Sequence, residues 1–107
     1  MATLTAREKR VGLHLPIDVS GLDAQGRTFA HSARTLNVSG GGVCFESPRQ
    51  LSVGSRLAVH IQVPPRLRRH FGGRPVYRVR AVVCRIERAS GAPVSKIGAR
   101  FLEELDA

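Results

Sequence analysis

The residues whose types and spacing could do chemistry gather in one stretch, Thr35 to Ser47, with the sequence T-L-N-V-S-G-G-G-V-C-F-E-S. Asn37 and Ser39 have short polar side chains that hydrogen-bond their own backbone and set turns. Gly40, Gly41 and Gly42 have access to backbone angles barred to other residues and leave room for close approach to the main chain. A polar, glycine-rich corner of this kind can form an anion-binding nest. A tight turn between two strands is the plainer reading of the same residues. The second candidate group is the basic stretch Arg7-Glu8-Lys9-Arg10. A guanidinium is planar, always charged and rich in donors, so it can grip a phosphate or a guanine edge with two parallel hydrogen bonds. Lys9 adds charge without that fork. A solvated basic arm is the alternative.

Catalytic chemistry finds little support. The four histidines, His14, His31, His60 and His70, include no pair at metal-ligand spacing. Asp18 and Asp23 have no partner base nearby in sequence. Ser39 lacks the G-x-S-x-G context of a nucleophile elbow, because Asn37 holds the first glycine's place. Cys44 and Cys84 lie in apolar, strand-like text without metal-ligand neighbours, which reads as two buried, reduced thiols. We therefore expect neither an enzyme nor a metal site, and no cofactor.

The elements that must position the corner are strands. Leu13, Leu15, Ile17 and Val19 alternate with polar positions, with His14 and Asp18 on the opposite, exposed face. Pro16 has no N–H to give a ladder and predicts a bulge or a sheet edge. Asp23-Ala24-Gln25-Gly26 reads as a hairpin turn. Arg27 to Leu36 forms a second strand of imperfect alternation, and Val43 with Phe45 opposes Cys44 with Glu46 on a third. Leu57, Val59, Ile61 and Val63 alternate against Ala58, His60 and Gln62 in the clearest strand of the chain. Arg66 to Arg74, the most basic window, reads as an exposed hairpin loop. From Val76 to Ile86 the apolar phase switches, which predicts an inserted residue near Ala81 or Val82. Ile97, Ala99 and Phe101 face inward on the last strand, and Glu103 to Ala107 could begin a helical turn.

These elements amount to about six strands with almost no helical periodicity. The fold class is all-β, and a small antiparallel β-barrel is the economical solution, since closure removes exposed edges. At 107 residues the chain makes one domain with one modest core. Residues 1–10 read as a flexible basic arm and 11–107 as the barrel. Seventeen Lys and Arg against eight acidic residues give a net charge of +9, which favours anionic partners. The absence of Trp, with one Tyr and four Phe, argues against a base-stacking platform for single strands. No secretory signal opens the chain and no apolar run reaches the ~18 residues of a membrane span, so a cytoplasmic location without membrane insertion is expected.

Asn37-Val38-Ser39-Gly40-Gly41-Gly42 fits the pattern [D/N]-x-S-x-x-G and resembles the second signature of the PilZ domain family. The flanks Thr35-Leu36 and Val43 to Ser47 are similar too, as are Leu51 to Ser55, the segment ending Gln62-Val63-Pro64, and Ile97 to Phe101. The resemblance covers about residues 7 to 103. It implies a β-barrel that binds the bacterial second messenger cyclic di-GMP and signals to a protein effector through a conformational change. Asn37, Ser39 and Gly42 would then contact the ligand, with Gly40 and Gly41 as further candidates. The family's first signature is R-x-x-x-R before the first strand. Arg10 matches its second arginine, but Ala6 stands where the first should be, and Arg7 lies one position late, with Lys9 as added charge. Many members continue into a C-terminal helix that this chain largely lacks. Two alternatives stand beside this reading. One is a PilZ-like interaction module that no longer binds the nucleotide, the other a basic barrel that binds nucleic acid through Arg66 to Arg74.

Overall fold

The computed structural model describes residues 13–105. Six strands form in chain order: β1 Pro16–Leu22, β2 Thr28–Val38, β3 Gly42–Ser47, β4 Arg56–Gln62, β5 Val76–Glu87 and β6 Ser95–Glu104. They close into an antiparallel barrel in the order β1-β2-β3-β6-β5-β4, with β4 returning to β1. The alternation that marks β4 is realised directly. Leu57, Val59 and Ile61 are buried, while Arg56 and Gln62 are exposed. Their partners inside the barrel include Ile17 and Val19 of β1, Phe45 of β3, Val79, Ala81 and Val83 of β5, and Ile97 and Ala99 of β6. Inward positions recur every second residue except where the pairing shifts in β2, β5 and β6, so one apolar interior serves all six.

The Asp23 hairpin joins β1 to β2 as expected. The Asp23 carboxylate accepts the Gln25 and Arg27 N–H groups at 2.9 and 3.0 Å, and Gly26 takes φ +78°. The Arg27 N–H holds the Asp23 carboxyl below its ordinary range. Burial opposes this shift, and the Gln25 N–H and Arg49 reinforce it.

Several expectations need correction. Pro16 makes neither a bulge nor an edge, since it is the first residue of β1, where no ladder N–H is required of it. The window Arg66 to Arg74 is not a hairpin loop. Pro65–Phe71 forms a 3-10 helix, because the proline ring presets its first turn, Phe71 buries itself, and Gly72 ends it at φ +69°. Glu103 and Glu104 do not turn into a helix but extend β6, opposite Arg80 and Val79.

The phase switch in β5 is real but lies further along. Pairing with β6 shifts between Arg80 and Ala81, where Leu102 is the extra residue on β6. It shifts again between Val83 and Arg85, where Cys84 is the extra residue on β5. After that second bulge Ile86 packs against the core, although Val83 did so on the other parity. Cys84 is consequently exposed, not buried, and its thiol donates to the Gly98 carbonyl at 3.4 Å. Cys44 is buried as expected.

Candidate functional site

The corner that follows β2 is held by its own atoms. Ser39 N–H donates to the Gly42 carbonyl at 2.9 Å, and Gly41 N–H donates to Ser39 Oγ at 3.2 Å. Phe101 N–H then ties the corner to β6 through the Gly41 carbonyl at 2.9 Å. These bonds occupy two of the N–H groups that an anion nest would need free. Positive φ occurs among the described glycines at Gly26, Gly54, Gly72, Gly73 and Gly91, and not in the Gly40–Gly42 run. The run is therefore not required for unusual backbone angles. At Gly42 the requirement is space: a Cβ there would lie 2.6 Å from the Ala99 carbonyl oxygen on β6.

Just before the corner, Thr35 is a fully buried polar residue. Its hydroxyl accepts the Leu15 N–H at 2.8 Å and donates to the Leu13 carbonyl, and its own N–H donates to the Leu15 carbonyl at 2.9 Å. The segment leading into β1 is thus fastened alongside the residue two positions before Asn37. One irregularity follows immediately. The β2–β3 register shifts between Thr35 and Asn37, which places Asn37 opposite Cys44 and re-aims the end of β2.

The outward positions of β3, β6 and β5 complete the site. Cys44, Gly98 and Arg85 are cross-strand partners in one row, and Gly42 pairs with Arg100 in the next. Gly42 and Gly98 are diagonal neighbours, and neither has a side chain to fill the outer face. A depression of about 380 Å³ results, lined by Asn37, Ser39, Gly42, Cys44, Gly98 and Arg100 among others. Both thiols line it, as do Arg85 and Phe101. The Arg85 side chain lies over Gly98, with Nε 3.7 Å from where a Cβ would stand, and the same Nε pairs with Glu87 at 3.1 Å.

Of the residues singled out from sequence, the structure brings Asn37, Ser39, Gly41 and Gly42 to the wall of this one concavity. Gly40 is exposed at the tip of the corner and is not among its lining residues. Arg7, Lys9 and Arg10 lie outside the described residues. Sequence reasoning missed Gly98, Arg85 and Arg100. Gly98 interrupts the apolar-polar alternation of Ile97, Ala99 and Phe101 without a turn, and a glycine inside a strand is a signal of close approach. No such signal marks the two arginines. The site offers Arg100, an Arg85 paired with Glu87, an amide and a hydroxyl around an uncluttered backbone, which suits a polar, anionic ligand. No group of three or more metal-ligating side chains occurs among the described residues.

A family comparison decides what this barrel is. Residues 5–107 match the model of the PilZ domain. The chain belongs to the PilZ domain family. Solved structures agree on the fold. The PilZ chain superposes on the Bacillus subtilis inhibitor of motility (MotI/DgrA) with a TM-score of 0.65 at 19% identity, covering 94% of this chain and 44% of that one. It superposes on the PilZ domain of YcgR from Escherichia coli, solved with c-di-GMP, with a TM-score of 0.59 at 20% identity, covering 90% of this chain and 76% of that one. The chain therefore spans less than half the length of the Bacillus protein. No curated protein matches the sequence. Among the described residues no helix is long and apolar enough to cross a membrane.

Proposed function

We propose that this PilZ domain is a receptor for cyclic di-GMP. The observation that carries the reading is the convergence of the signature residues Asn37, Ser39 and Gly42 with Gly98, Arg85 and Arg100 on one open depression of about 380 Å³. The neighbouring PilZ domain of YcgR, whose structure holds c-di-GMP, supports the choice of ligand. In this reading Asn37 hydrogen-bonds the ligand from the end of β2. Ser39 orders the corner through its bond with Gly41 and offers its hydroxyl. Gly42, with Gly40 and Gly41 beside it, keeps the surface free of side chains. Arg10 and Arg7, helped by Lys9, clamp phosphate or guanine from the N-terminal arm.

The arm has the reach for this. Leu13 is fastened beside Thr35, and Arg10 lies only three residues earlier, within roughly 10 Å of extended chain. Docking the arm on the ligand creates a new composite surface, and the difference in its contacts between free and docked states drives the switch. That surface addresses a protein effector in the cytoplasm, and the domain itself carries out no catalysis. Ala6 at the first arginine position of the signature favours a second reading, an interaction module that has lost its ligand. Titrating cyclic di-GMP into Arg10→Ala and Ala6→Arg separates the two. The receptor reading expects Arg10→Ala to weaken binding at least about tenfold, given the strength of a charge-assisted, bidentate contact. Binding that appears only in Ala6→Arg would establish the second reading instead.

A further inference from the structure

Adjoining the depression and sharing Arg100 with it, the outer face of β4, β5 and β6 carries a second feature. Arg56, Val82 and Arg100 are cross-strand partners, so they stand in one row on the outside of three adjacent strands. In the next row Arg80 of β5 lies between Ala58 and Glu103. Arg56, Arg80 and Arg100 are exposed, and none of them forms an ion pair among the described residues. Adjacent strands are about 4.8 Å apart, so the row from Arg56 to Arg100 spans roughly 10 Å. At its centre sits half-buried Val82, and Leu102, 37% exposed, stands out beside it at the β6 bulge.

We propose that this face docks an acidic segment of a partner protein, with carboxylates on Arg56, Arg80 and Arg100 and an apolar side chain on Val82 and Leu102. Arginines around an apolar centre are the composition of protein interfaces. Side chains two turns apart on a helix are separated by about 11 Å along its axis, which matches the span from Arg56 to Arg100. Two features argue against a nucleic acid as the occupant. The apolar centre is of no use to a phosphate track. Exposed aromatic rings for base stacking are lacking here: Tyr77 and Phe101 are half-buried and pack against the core. Arg56 and Arg80 do not line the depression, whereas Arg100 borders both, so the face adjoins the dinucleotide site and is tested through Arg56 and Arg80.

The test is fluorescence anisotropy of a short fluorescein-labelled peptide, rich in Glu with a central Leu, at near-physiological salt. It is run against the wild type, Arg56→Glu/Arg80→Glu, and Arg66→Glu/Arg69→Glu, which changes net charge equally at the 3-10 helix. The expected result is saturable binding that falls at least about tenfold in the face variant and less than about threefold in the helix variant. Failure of the wild type to bind the peptide, or equal losses in both variants, overturns the proposal. Mixed-sequence single-stranded DNA and phosphatidylglycerol vesicles are titrated in parallel. Tighter binding of either, lost in the face variant, also overturns it by making the occupant a nucleic acid or a membrane. Arg56→Gln/Arg80→Gln, with thermal melts, covers the case in which charge reversal unfolds the barrel.

Discussion

Replacing Gly98 separates folding from binding at the floor of the site. Gly98 lies in the middle of β6, with Cys44 across one neighbouring strand and Arg85 across the other. A Cβ at this position meets Arg85 Cβ at 3.5 Å and two guanidinium nitrogens at 3.7 Å, all ordinary van der Waals distances. Nothing in the backbone obstructs it. A strand-interior glycine costs roughly 0.5–1 kcal/mol relative to alanine, so Gly98→Ala should stabilise the barrel by that amount. At about 4–8 °C per kcal/mol for a domain of this size, the melting midpoint should rise by roughly 2–8 °C. Gly98→Val should also fold stably, because a β-branched residue suits a strand. Its methyl groups, however, enter the depression to which the receptor reading assigns the ligand. An overpacked contact costs about 1–3 kcal/mol, which corresponds to roughly 5- to 150-fold weaker binding. Thermal melts and calorimetric titration of cyclic di-GMP on the two variants read both effects. Wild-type affinity in Gly98→Val would refute the placement of the ligand over β6. A lowered midpoint in Gly98→Ala would refute the claim that the position has room.

The contrasting glycine behaves in the opposite way. Gly42→Ala forces a Cβ to within 2.6 Å of a backbone oxygen on β6, and should destabilise the barrel by about 1–3 kcal/mol, measured by urea unfolding. Thr35→Val keeps the shape of a buried side chain but leaves the Leu15 N–H without the hydroxyl it donates to. A loss of about 1–3 kcal/mol is expected in the same assay, together with faster amide exchange at Leu15. Asp23 makes stability pH-dependent. Its folded pKa is below its unfolded value, chiefly through the Arg27 N–H, so its charge stabilises the fold above about pH 4. That contribution is lost as pH falls through the lowered folded value. Asp23→Asn keeps an acceptor for the turn but cannot titrate, and its melting temperature should fall less steeply than that of wild type on acidification below about pH 4.

Much of the barrel was legible because closure of a small sheet leaves its period in the sequence. Leu57, Val59 and Ile61 alternate without interruption, and β4 pairs with β1 and β5 without a register shift. The Asp23 turn was legible for a local reason, since its carboxylate and Gly26 settle the geometry within five residues. What escaped depends on partners distant in sequence. Cys84 reads as an interior residue of an apolar run, and only the pairing of β5 with β6 makes it the extra residue of a bulge. The 3-10 helix was hidden by its charge, because four arginines and a histidine between Arg66 and Arg74 outweighed the single buried Phe71. Half of the candidate site was legible in Asn37, Ser39 and Gly42, which are local in sequence. The other half, Gly98 with Arg85 and Arg100, meets it only through the β3–β6–β5 pairing. The glycine run was noticed for backbone freedom, yet at Gly42 it serves clearance from Ala99.

The central claim is tested most directly by calorimetric titration of cyclic di-GMP into the wild-type protein at near-physiological salt, with GTP as the control ligand. The account predicts saturable heat with cyclic di-GMP, an affinity of about micromolar or better, and none with GTP. No heat with cyclic di-GMP at high protein concentration, or equal heats from the two nucleotides, would contradict it.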